Sequence, residues 1–232
     1  MPAIIDKVAK RSHLISAAAS TFARKGFHAT KMQDVAVCAG VSKGALYEYF
    51  ATKEDLFLAV YDAWMSEYEE TARRKFEEAE DAIGRADAVR HAAVEFYLQR
   101  AEQAPLLLEF WAHALRSGNA AFLARARRTT AVLTEMGESI ACELIEAGAF
   151  APIEPRSLTL LEAGISDGIF LLWALSGRTF PLDAAYIFRQ SLLGMGLLSD
   201  DGRTIIRDYL REKLEDGFLP KQNGGDNGKA QN

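Results

Sequence analysis

The side chains that usually hold zinc are scarce in this chain: 232 residues have two cysteines and four histidines. Cys38 and Cys142 stand far apart, without CxxC or neighbouring-histidine spacing, so neither a disulfide framework nor a zinc site is expected and both read as reduced thiols. His13, His28, His91 and His113 show no paired ligand spacing, and Glu109 with His113, four apart, reads as a helical side-chain pair. No metal and no cofactor is expected. Long uncharged apolar runs are missing too. The greasiest stretch, Leu158 to Leu175, is interrupted by Glu162 and Asp167 and falls short of the roughly 18 uncharged residues of a membrane span. The opening Met1-Pro2-Ala3-Ile4-Ile5-Asp6-Lys7 has no basic segment followed by an apolar one, so no secretory signal is expected. A cytoplasmic protein with no membrane partner is the expectation. Nucleophile motifs and phosphate loops are absent as well, which leaves Glu109, His113 and Asp167 as an isolated and unconvincing basis for enzyme chemistry.

What the chain does have is an ordinary globular composition, 49% hydrophobic and 25% charged, with the charge unevenly divided. Residues 1–53 hold eight Lys or Arg against Asp6, Asp34 and Glu48, a net of +5, whereas the remaining 179 residues carry −10. A basic end on an acidic body suits a compact polyanion-binding module.

Apolar residues recur at helical spacing nearly everywhere, and no stretch alternates strictly, so the chain reads as all-α. A first helix is predicted from Asp6 to Lys25, with Leu14, Ala18 and Phe22 on one stripe and Gly26 stopping it. Thr30-Lys31-Met32-Gln33 reads as a capping box for a second helix ending near Cys38. Gly40 permits a tight turn, Ser42 recaps, and a third helix is expected from Lys43 to about Tyr49. Two short helices joined by such a turn match the helix-turn-helix pattern. Thr52-Lys53-Glu54-Asp55 then caps a long fourth helix reaching about Glu80, a mechanical link between the basic end and the larger body of the chain. Further helices are predicted at about 87–103, 105–116, 119–147, 156–176 and 183–198, with a polar helix at about 203–216. The expected division is a helix-turn-helix domain over 1–53, a larger helical domain over 54–219, and a disordered tail over 220–232.

The passage from Ser42 to Phe57, with Phe22-Ala23-Arg24-Lys25-Gly26-Phe27 and Thr30, resembles the DNA-binding domain of the TetR family of regulators over about 50 residues in one register. The resemblance implies double-stranded operator DNA as partner, and Thr30, Ser42, Lys43, Gly44, Tyr47, Tyr49 and Lys53 as the contact positions. The residue types agree. Ser42 caps the reading helix, whose N-terminal N–H groups can face a phosphate. Gly44 lets backbone approach closely, Lys43 supplies charge, and Tyr47 and Tyr49 can meet a phosphate or a thymine methyl, or else pack as half-buried aromatics. Thr30 and Lys53 suit phosphate clamps on either side. Leu46 and Phe50 are expected inside, and Glu48 has no assigned contact.

Beyond residue 60 the resemblance is architectural: such regulators are homodimers whose helical body encloses a ligand cavity. Trp64, Tyr68, Phe96, Tyr97, Phe110, Trp111, Met136 and Phe170 lie on successive predicted helices and are candidates to line a pocket for a small, largely apolar molecule. The 156–176 helix is apolar on two faces and must be covered on both. With the next helix it is the dimerisation candidate, through Leu161, Ile165, Ile169, Leu172, Phe188, Leu192 and Met195. Asp167 needs a partner if buried, either a cationic ligand or a bond across the dimer. The implied function is a ligand-responsive regulator, a repressor as most such proteins are. The competing reading is a ligand-independent DNA-binding or protein-interaction module whose pocket is filled by side chains.

Overall fold

A computed structural model describes the backbone of residues 2–197, with Thr204 and Asp208, and the side chains of residues 7–189, of Ser191 and of those two. The expectations for the side chains of Leu192 and Met195, for most of the 203–216 helix and for the 220–232 tail therefore lie outside the described residues. Among the described residues the protein is all-α. The helices are α1 (Pro2–Lys25), α2 (Met32–Cys38), α3 (Lys43–Tyr47), α4 (Lys53–Glu78), α5 (Ala82–Gln99), α6 (Ala104–Arg116), α7 (Ala120–Glu146), α8 (Pro155–Leu175) and α9 (Leu182–Leu197).

Local chemistry sets most of the helix ends. Gly26 takes a φ of +76°, the left-handed conformation that ends α1, and Gly40 takes +66° in the turn between α2 and α3. The Ser42 hydroxyl accepts from the Ala45 N–H at 3.1 Å, and Thr52 and Asp55 form a reciprocal capping box at the start of α4. The expected Thr30–Gln33 box does not form. Thr30 is buried and its hydroxyl donates to the Gly26 carbonyl at 2.7 Å, a group left over at the end of α1. Lys31 is the N-cap instead, its N–H donating to Asp34 at 2.9 Å. α5 starts before the expected Asp87 because the Asp81 carboxylate caps it, accepting from the Gly84 N–H at 2.7 Å.

The main core cluster includes residues from Leu14 to Tyr186, and a smaller cluster of Ile140, Leu144 and Ala149 stands apart from it. The centre of the main cluster is aromatic. Phe22 of α1, Phe27 of the following loop, Phe57 of α4, Phe110 of α6 and Phe122 of α7 are all buried. Phe27 stacks on Phe57 at 4.3 Å, Phe57 meets Phe110 edge-on at 5.6 Å, and Phe110 stacks on Tyr61 at 3.6 Å. The expected division at 53/54 thus falls in the first turn of α4, with shared core on both sides of it.

α8 departs from expectation in one respect. By length and composition it is apolar enough to cross a membrane, since Glu162 and Asp167 are too few to lower its hydropathy below that mark. One side, carrying Leu158, Thr159, Phe170 and Trp173, is buried against the other helices, and α7 and α9 pack beside it.

Candidate functional site

The basic end presents α3 outward. Ser42, Lys43, Gly44, Tyr47 and Glu48 are exposed on one surface, while Leu46 and Phe50 turn inward and anchor it. The Lys43 ammonium lies 5.7 Å from the Tyr47 ring centre, and Lys10 of α1 lies 5.8 Å from the ring of half-buried Tyr49. A Cβ on Gly44 would meet only the Ser42 hydroxyl, at 3.8 Å. Folding therefore does not demand glycine there, whereas close approach by another molecule would. The presenting helices are braced from behind. Lys25 pairs with Asp34 at 2.8 Å, and hydrogen bonds from Lys25 and the Lys31 amide hold the Asp34 carboxyl below the usual carboxylate range. His13 of α1 bonds the Ala39 carbonyl at 3.0 Å.

Two of the candidate contacts have internal partners. Thr30 is buried as described. The Lys53 ammonium donates to the carbonyls of Phe27, His28 and Thr30 at 2.8, 3.1 and 3.0 Å, and so staples the loop before α2 to the start of α4. That loop is also tied to α6, because the Phe27 N–H donates to Glu109 at 2.9 Å. Glu109 and His113, the expected side-chain pair, each serve this junction: the His113 ring meets Phe27, Phe57 and Phe122 edge-on.

A cavity of about 280 Å³ opens in the helical body, walled by α4, α5, α6, α7 and α8. Of the residues expected there, Tyr68, Phe96, Tyr97 and Trp111 line it. Trp64 and Phe170 instead bound a small adjoining void, and Phe110 is spent in the core against Tyr61. Met136 does not line the cavity. α7 and α8 close together just there, so tightly that a Cβ on Gly137 would lie 2.4 Å from the Thr159 methyl. The lining that sequence reasoning missed includes four threonines, Thr129, Thr130, Thr134 and Thr159, besides Tyr61 and apolar residues such as Met65, Leu107, Leu123 and Leu133. The threonines at 130, 134 and 159 satisfy their hydroxyls on carbonyls one turn back, at 3.1, 2.7 and 2.9 Å, which lets them stand in an apolar wall. Burial pushes the Tyr68 and Tyr97 phenols well above their ordinary range.

The far side of α8 is open and greasy. Leu160, Leu161, Leu171, Leu172 and Leu175 are exposed, as is Phe188 of α9. Gly164 and Gly168 lie on the same face with empty space over both. Ile165 and Ile169 of the expected stripe are half-buried, and Ile169 packs against the core. The open face is thus rotated from that stripe toward Leu160, Leu171 and Leu175.

The sequence profile for bacterial regulatory proteins of the tetR family matches residues 14–60, from the middle of α1 to the early turns of α4. The chain is 28% identical over 183 residues to the HTH-type transcriptional regulator RutR of Escherichia coli O157:H7, covering 72% of this chain and 71% of that one. In three dimensions it resembles a TetR transcription regulator of Haloarcula marismortui, with a TM-score of 0.75, 20% identity and coverage of 83% and 100%. It also resembles the regulator FadR of Bacillus subtilis, solved in complex with stearoyl-CoA, with a TM-score of 0.71, 21% identity and coverage of 80% and 98%. With the match over residues 14–60, the helix order and the relatives in agreement, this chain is similar to the TetR family of bacterial regulatory proteins.

Proposed function

We propose that the protein is a ligand-responsive transcriptional repressor, acting in the cytoplasm as a homodimer that holds a palindromic operator and lets go when a small molecule occupies the cavity. The observation that carries this reading is α4. Its first residue, Lys53, is bonded into the loop before α2, and further along the same helix Tyr61, Met65 and Tyr68 line the cavity. Lys53 and Tyr68 are separated by about 22 Å of continuous helix, at 1.5 Å per residue. A ligand that pushes on Tyr61 or Tyr68 therefore acts on the same rigid rod that seats the reading helix. Release follows only if the ligand binds the DNA-incompetent arrangement more tightly than the competent one.

Two recognition helices are required for a palindrome, with half-sites about 34 Å apart. The exposed leucines of α8 and the bare surfaces over Gly164 and Gly168 support a second copy as the cover, because glycines let two helices approach closely. DNA contacts are assigned to Ser42, Lys43, Gly44 and Tyr47, with Tyr49 at the edge of the surface. Thr30 and Lys53 act on DNA by holding the loop and helix starts in place. The empty interior favours a sensor over a ligand-independent module with a filled pocket. The ligand-bound FadR neighbour supports the idea that a helical body of this fold accepts a guest.

The test is selection of bound sequences from a random duplex library, with wild type and with Lys43→Ala and Tyr47→Ala combined. Wild type is expected to enrich a palindrome that the double variant does not. A folded wild-type dimer that enriches nothing would sink the proposal.

A further inference from the structure

We infer that the cavity takes an organic cation, an amine or quaternary ammonium carried on an apolar body, with Asp167 as the counter-charge. The inference rests on the reading of the cavity as a ligand site and adds the chemical class of the ligand.

Asp167 is, among the described residues, the single formally charged one in the cavity wall. Among the described residues nothing pairs with it. The nearby Arg189 donates instead to the Glu162 carbonyl at 3.0 Å and to the Ser166 hydroxyl, and lies over the Tyr186 ring at 5.3 Å. Loss of hydration on the cavity side alone raises the Asp167 carboxyl above the usual carboxylate range, although the residue as a whole is exposed. A ligand that covers the carboxylate removes its access to solvent, and only a cation or a strong donor replaces that hydration without a penalty.

The remainder of the wall suits a cation's body. Tyr61, Tyr68, Phe96, Tyr97 and Trp111 supply aromatic surface, and ring faces attract ammonium groups, most strongly where water is excluded. The same inventory argues against an anion. Among the described residues the wall holds no Lys, Arg or His, and Arg189, whose charge is felt at Tyr68, is engaged by the Glu162 carbonyl and the Ser166 hydroxyl, so a carboxylate or phosphate entering the cavity would meet the charge of Asp167 first. A long acyl thioester such as the guest of the FadR neighbour finds no partner for its phosphates in a cavity of about 280 Å³.

The experiment uses three probes of similar shape: benzyltrimethylammonium, its uncharged isostere neopentylbenzene, and benzenesulfonate. Binding to the full-length protein is followed by tryptophan fluorescence, since Trp111 stands in the wall, for wild type and for Asp167→Asn. Wild type is expected to bind the cation at least about tenfold more tightly than the isostere, with benzenesulfonate weakest. Asp167→Asn is expected to keep the isostere and erase the preference. If the isostere binds wild type as tightly as the cation, or if benzenesulfonate wins, the inference fails while the cavity stays a ligand site. This wild-type comparison does not depend on the variant folding. If Asp167→Asn instead breaks the dimer and weakens cation and isostere equally, the carboxylate belongs to the subunit interface and the inference again fails. If no probe binds the folded protein, the inference and the sensor reading fall together.

Discussion

The two ends of α4 stand in opposite kinds of interior. Around its first turns Leu14, Phe22, Val35, Leu46 and Leu56 are wholly shut off from water, with rings and methyls filling the space between α1, α2 and α3. Farther along, the same helix forms one wall of a cavity of about 280 Å³. Identical secondary structure and similar apolar content thus yield a solid unit and a hollow one. A close-packed interior fixes geometry, as a surface that must match a partner's grooves requires. A hollow one forgoes packing energy in exchange for room, and its walls can be pushed.

The largest test of the contrast is Phe22→Ala. Phe22 is fully buried and lies 5.7 and 5.5 Å from the rings of Phe27 and Phe57. Its removal should cost about 3–5 kcal/mol in denaturant unfolding. A loss below about 1 kcal/mol would mean that the N-terminal interior collapses freely and is not close-packed.

A sharper comparison adds atoms instead of removing them. Gly137→Ala forces a methyl against the Thr159 methyl at the closed end of the α7–α8 contact, and overpacking of this kind should cost about 1–3 kcal/mol. Ala126→Leu adds more volume a few turns away, but into the cavity, and should change stability by less than about 1 kcal/mol while blocking any guest. Equal losses for both, measured by thermal unfolding, would show that the cavity is not real space.

The contrast is only half legible in the sequence. Ser42, Thr52, Gly26 and Gly40 act on groups within about four residues of themselves, so their roles can be read locally, and with them the helix-turn-helix. Thr30 misleads because two acceptable partners lie within reach, the α2 start and the Gly26 carbonyl, and the second wins. Lys53 reads as a phosphate clamp because its carbonyl partners are 23 or more residues away. The aromatic residues of the body announce burial, but not which void they border: Phe110 and Met136 are as apolar as Tyr97 and end elsewhere. Likewise α8 shows two greasy faces without showing which of them the core takes.

Lys53 offers the next largest effect. If its ammonium staples the Phe27–Thr30 loop, Lys53→Met should lower stability by about 1–2 kcal/mol with no DNA present, because three carbonyls lose a charged donor. A residue serving only as a phosphate contact would leave unfolding unchanged and alter only the salt dependence of DNA binding. The two outcomes separate an internal brace from a surface charge at one position.

The smallest expected effect tests the seam between the two regions. The His113 ring stands among Phe27, Phe57 and Phe122, its Nε2 buried without a hydrogen-bond partner, and desolvation holds it below the ordinary histidine value of 6.5. Glu54 and Glu109 pull the other way, while His28 and Lys53 add to the lowering. A histidine that resists protonation when folded makes the unfolded chain the better proton acceptor. Stability should therefore begin to fall as pH drops through the unfolded value, continue until the folded group titrates, and then level. His113→Phe keeps the ring contacts and removes the proton site. Between about pH 7.5 and about pH 5.5 its melting temperature should change less than that of wild type. Parallel curves would mean that the aromatic seam does not discriminate against charge, and that the closed interior ends short of α6.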